Sequence, residues 1–113
     1  MKLLCSVLAF SLLTLLSQAF AASATGVALV ERVDGMWSKN GFIIDLVGVL
    51  PASVNPDNCS TTDGFATDPT FDVNILQLHH SMILSAHMAG KEVDLVISGC
   101  AENRPRIIAV RIP

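Results

Sequence analysis

At Gly90 the hydrophobic spacing of the chain changes, and no other feature limits its fold so tightly. Before it, Ile75, Leu78, Met82, Ala86 and Ala89 recur at intervals of three and four, and Leu76 and Ile83 widen the stripe on one flank. That is the pattern of an amphipathic helix. After it, Val93, Leu95 and Ile97 alternate with Glu92, Asp94, Val96 and Ser98, as a half-buried strand requires. Asp72 or Asn74 can cap the helix start, and Gly90 stands where a glycine adopts the left-handed turn that closes a helix. A helix from Asn74 to Ala89 would be about 24 Å long, enough to lie across one end or face of a small barrel.

The segments around this helix read as short strands. Val27 to Val33 is a β-rich run closed by the turn pair Asp34-Gly35, and Phe42 to Leu50 is a second run, introduced by Asn40-Gly41. Together they predict a hairpin, with Met36 to Lys39 either extending the first strand or forming part of the connection. Pro51 to Pro69 is dense in turn-forming residues. A stretch of that length without any element is unusual in a small domain, which favours one short strand around Cys59 to Ala66. Ala101 to Pro105 reads as a polar turn, followed by a last strand, Arg106 to Ile112, with Ile108, Val110 and Ile112 on one face. The expected fold is mainly β with one α-helix, in the order β-β-β-α-β-β.

The start of the chain bounds the size of this domain. Lys2 precedes an apolar stretch from Leu3 to Leu16, and Ala19-Phe20-Ala21 forms a small-x-small pattern, which together read as a secretory signal over residues 1–21, cleaved before Ala22. Ala22-Ser23-Ala24 offers a second cut, before Thr25, and an uncleaved membrane anchor is the alternative. Removing 21 of 113 residues leaves 92, one domain (22–113) close to the size at which burial alone gives thin stability. The cut also discards Cys5, an apolar filler of the signal, and leaves the pair Cys59 and Cys100 for a compartment that permits oxidation. A disulfide between them is expected. Closing a loop of about 42 residues would restrict the unfolded chain by roughly 4 kcal/mol.

Without Lys2 the domain carries six basic and ten acidic side chains, a formal −4, with no basic run. Binding to phosphates needs clustered Lys or Arg, so nucleic acid and anionic membranes are poor partners. Metal chemistry fails on spacing. His80 and His87 share a helix face but stand about 10.5 Å apart along the axis, and His79 falls within the apolar stripe as a core or subunit-contact histidine. No Gly-x-Ser-x-Gly elbow and no Gly-rich phosphate loop is present. Pairs such as Asp45 with Asp72, or Glu92 with Asp94, read as solvated surface acids rather than an acid and base. The expectation is a protein that is not an enzyme and needs no cofactor or metal.

Two features suggest binding instead. Trp37, the single Trp, can stack on a sugar ring beside Asn40 and Asp34, whose polar atoms would bond hydroxyls, or it packs on the core. Leu84 and Met88 project away from the apolar stripe four residues apart and form a second patch suited to self-association. Asn58-Cys59-Ser60 fits an N-glycosylation pattern, although a bridged cysteine at its centre makes it an unattractive acceptor.

The stretch from Ile83 to Ile112, ILSAHMAGKEVDLVISGC followed after a short turn by PRIIAVRI, resembles the C-terminal half of small bacterial exported proteins similar to the B subunit of subtilase-type cytotoxins. It covers about a third of the domain. The resemblance implies a small five-stranded barrel of the oligosaccharide/oligonucleotide-binding (OB) type, with its helix between strands three and four. In that family the B subunits form rings and bind cell-surface glycans. The N-terminal half offers no motif that aligns residue by residue, so no sugar-binding residue carries over, and a single chain shows no toxic A subunit. The leading expectation is a secreted or periplasmic binding module that recognises a glycan or another exported protein, as a homo-oligomer. The alternative is a structural or interaction protein of the cell envelope with no small-molecule ligand.

Overall fold

The computed structural model describes residues 22–36, 39–47 and 54–113. The expected signal, Trp37, and the end of the expected second strand lie outside them. Five strands and one helix follow in the order β1 (Ser23–Gly35), β2 (Phe42–Leu46), β3 (Phe65–Thr67), α1 (Val73–Ala89), β4 (Glu92–Ala101) and β5 (Arg104–Arg111). The sheet closes on itself as β1-β2-β3-β5-β4, with β1 pairing both β2 and β4. All pairings are antiparallel except β3 with β5. This is the mainly β arrangement expected, in the order β-β-β-α-β-β, with the helix between the third and fourth strands.

Alternation fills the interior. Phe42, Ile44 and Leu46 of β2 face inward while Ile43 and Asp45 are half-buried, and Val93, Leu95 and Ile97 of β4 are wholly enclosed. Phe65 and Ile107 join them, and Ile83 and Ala86 of α1 close the core. The disulfide forms as expected. Cys59 and Cys100 are bonded across 41 residues, with their Cα atoms 5.7 Å apart.

Three local expectations need correction. Asp34 and Gly35 do not turn. They pair with Ile43 and Phe42, so β1 runs on and the reversal falls between Met36 and Gly41. In β5, Ile107 and Val110 are buried, whereas Ile108 is only half-buried and Ile112 is exposed. The register explains this. Val96 pairs with Ala109 but Ile97 pairs with Ile107, so Ile108 is an extra residue that reverses the alternation. The third strand is shorter and later than expected, leaving Cys59 in the connection before it.

The helix face is a fourth correction. Its buried stripe is Leu76, His79, Ile83 and Ala86, while Ile75 and Leu78 are 47% and 59% exposed and Met82 lies between. The two stripes have the same spacing and lie about 80° apart around the axis. Apolar residues on more than one flank leave periodicity unable to say which stripe meets the sheet, and the true one runs through His79 and the flank of Leu76 and Ile83. Asp72 caps its start by accepting from Asn74 N–H at 2.8 Å, and Gly90, at φ 64°, ends it with Lys91 N–H donating to Ala86 C=O. Among the described residues no helix is long and apolar enough to cross a membrane.

Candidate functional site

Where the β1–β2 connection meets the first half of α1, an open cleft of about 150 Å³ forms. Asn40, Gly41 and Phe42 make one wall, and Val73, Leu76, Gln77 and His80 the other. The helix contributes through an i, i+4, i+7 set, Val73, Gln77 and His80, which falls on one line beside the buried stripe. The opposite wall is fixed by Thr67, fully buried on β3. Its hydroxyl accepts from Phe42 N–H at 2.9 Å and is 3.3 Å from Phe42 C=O, to which it donates. Gly41 stands at φ 132°, and a Cβ there would collide with that same hydroxyl. The start of β2 is thus bound to β3 through a contact that requires glycine.

Across the cleft the Phe42 and His80 rings stack, with centroids 5.0 Å apart and planes 27° from parallel. This pairs an apolar surface with a ring that carries two nitrogens. The amides of Asn40 and Gln77 each offer donors and an acceptor. No Asp, Glu, Lys or Arg is among the lining residues. Such a surface suits a small neutral group bearing hydroxyls.

The three histidines of α1 go to three different places. His79 is buried, its Nδ1 has no hydrogen-bond partner, and burial holds its proton affinity below that of an ordinary histidine. His80 lines the cleft. His87 Nδ1 donates to Val30 C=O at 2.8 Å and fastens the end of the helix to β1. Among the described residues no group of three or more His, Cys, Asp or Glu is placed to hold a metal ion.

Charged side chains gather elsewhere. Arg32 bridges Asp34 at 2.8 Å and Asp45 at 2.6 Å, and burial pushes the Asp45 carboxyl up despite that neighbour. Arg104 grips Asp63 with two nitrogens and holds its carboxyl down. Arg106 donates to Ser98 C=O and to Asp68, and lies 5.6 Å from the Phe71 ring centre. Asp68 is pushed below the usual range first by the Thr70 hydroxyl, then by Thr70 N–H, with Arg106 adding to both. These contacts tie strands to connections.

Of the residues expected to bind, Asn40 lies on the cleft, and Trp37 is outside the described residues. Asp34 is engaged by Arg32. Leu84 and Met88 are 39% and 79% exposed and lie on the solvent side of α1. Sequence reasoning missed Phe42, Gln77 and His80 as one site. The spacing of Val73, Gln77 and His80 is the signal that was available, and its mixture of apolar and polar types hid it. No protein-family model, curated protein or solved structure matches this chain.

Proposed function

We propose that this chain is an exported, non-enzymatic binding module, secreted or periplasmic, that captures the terminal unit of a glycan in the cleft between the β1–β2 connection and α1. One observation carries the reading. Asn40, Gln77 and His80 line the cleft together with Phe42 and Leu76, with no charged side chain in the lining. A sugar ring presents one apolar face and a rim of hydroxyls, which such a lining complements. The volume, about 150 Å³, is below the several hundred Å³ of usual small-molecule pockets and fits a single ring rather than an extended chain. The disulfide agrees with an oxidising compartment, and the resemblance to cytotoxin B subunits points the same way.

The test is a glycan array followed by titration of the best ligand. Gln77→Ala and His80→Ala are each expected to weaken binding about five- to tenfold, the loss of one hydrogen bond of roughly 1 kcal/mol. Unchanged affinity in both variants would move the site elsewhere.

A second reading, an interaction protein of the cell envelope, has its own support in α1. The helix carries no Asp, Glu, Lys or Arg over 17 residues, and it exposes Ile75, Leu78, Leu84 and Met88. An uncharged apolar helix surface of this extent suits contact with protein, a second copy included. Under this reading no sugar is retained, and Leu84→Glu with Met88→Glu lowers the mass measured by light scattering.

A further inference from the structure

The mouth of the same cleft carries a group capable of covalent chemistry. Asn40 is exposed and is followed by Gly41. An asparagine side chain can be attacked by the backbone nitrogen of the next residue, and a following side chain ordinarily shields that nitrogen. Glycine has none, and the collision with Thr67 keeps glycine at position 41 for reasons of packing.

Each of the chain's other asparagines precedes a residue that carries a side chain. Asn55 precedes Pro56, which has no N–H, and both ends of its amide are held by Cys59, at 2.8 and 3.0 Å. Asn58 precedes Cys59, whose N–H is that same donor to Asn55 and whose sulfur is in the disulfide. Asn74 lies in the first turn of α1, before the β-branched Ile75. Asn103 precedes Arg104, whose guanidinium is fixed by Asp63 and Glu102 C=O.

We propose that Asn40 is a site of spontaneous deamidation and that this modification changes the charge of the cleft. The Gly41 backbone nitrogen forms a bond to Asn40 Cγ, the Cγ–Nδ2 bond breaks, and ammonia leaves with the proton given up by the attacking nitrogen. Water then opens the five-membered imide at either carbonyl, giving aspartate or isoaspartate, with no oxidant or reductant involved. Each product puts a carboxylate where a neutral amide stood. Lys39 is already paired with Glu102 at 2.6 Å, so the new charge faces the cleft without a committed partner. Its consequence for a glycan rests on the proposed function, whereas the modification does not.

The test is to incubate the purified, oxidised chain in mildly alkaline buffer at physiological temperature and follow intact mass and peptide maps. Expected are a gain of one mass unit per chain, one added negative charge on isoelectric focusing, and both products mapped to residue 40. Asn40→Gln should abolish the change. Conversion appearing first at Asn58 or Asn103 would overturn the proposal. So would an unmodified residue 40 in the folded chain while a peptide spanning Lys39 to Phe42 converts under the same conditions. If the mass gain occurs and no glycan binds before or after it, the modification stands and the binding role falls.

Discussion

Between Val54 and Gly64 the chain has few apolar side chains to bury, and it is held by discrete bonds: the Cys59–Cys100 disulfide, Gly99 N–H to Asp57 at 2.7 Å, Thr61 N–H to Asn103 C=O at 2.8 Å, and Arg104 to Asp63. The helix holds by burial instead. Leu76, Ile83 and Ala86 enter the core, and His87 adds one directed bond near its end. Turn-rich sequence cannot gain enough from removing apolar surface from water, so covalent and polar ties fix it. An apolar helix gains from burial but leaves its surplus apolar surface exposed. The connection is therefore sensitive to redox conditions, and the helix to the identity of a few side chains.

The largest effect that would break this contrast is on the connection. Replacing Cys59 and Cys100 together with alanine is expected to cost about 2–5 kcal/mol, read as a lower urea midpoint. A loss well under about 1 kcal/mol would mean that the polar ties suffice. For the helix, Ile83→Ala should cost about 3 kcal/mol through the cavity it leaves, while Ile75→Ala should stay within about 0.5 kcal/mol. Equal losses would reverse the correction to the helix face. The smallest effect is one of pH. Because burial lowers the proton affinity of His79 in the folded state, the unfolded chain binds that proton more readily. Its contribution is therefore complete above the ordinary histidine range, near about 6.5, and is lost as pH falls through that range toward the folded value. The thermal midpoint should drop in mildly acidic buffer, and His79→Leu should flatten the drop. Asp68, held low mainly by Thr70, loses its contribution only further into acid, below the usual carboxylate range. Asp45, raised by burial, acts with the opposite sign as it takes up its proton.

What the sequence disclosed follows from how local each signal is. The helix with its cap at Asp72 and its end at Gly90, the alternation in β4, and the disulfide each rest on spacing within one segment or on the pairing of the two cysteines outside the expected signal. The errors arose where one strand answers to another. Nothing within Arg104 to Arg111 announces that Ile108 will be the extra residue opposite β4, because that depends on the register with Val96 and Ile97. Asp34-Gly35 has the composition of a turn, yet pairing with β2 holds it extended. Likewise the cleft assembles residues about 40 positions apart. Asn40 was legible as a polar residue beside a turn, but its meeting with Gln77 and His80 depends on where the helix docks.

The closed order of the strands also decides when the fold can exist. β1, the first strand made, needs β4 on one side, and β3 needs β5. During synthesis β1 and β2 can meet early, but the other edge of β1 stays open until β4, from Glu92 onward, is made. Sequence-distant pairing of this kind slows folding and leaves an unpaired edge exposed meanwhile. The ring of strands therefore closes only once β4 and β5 have joined it.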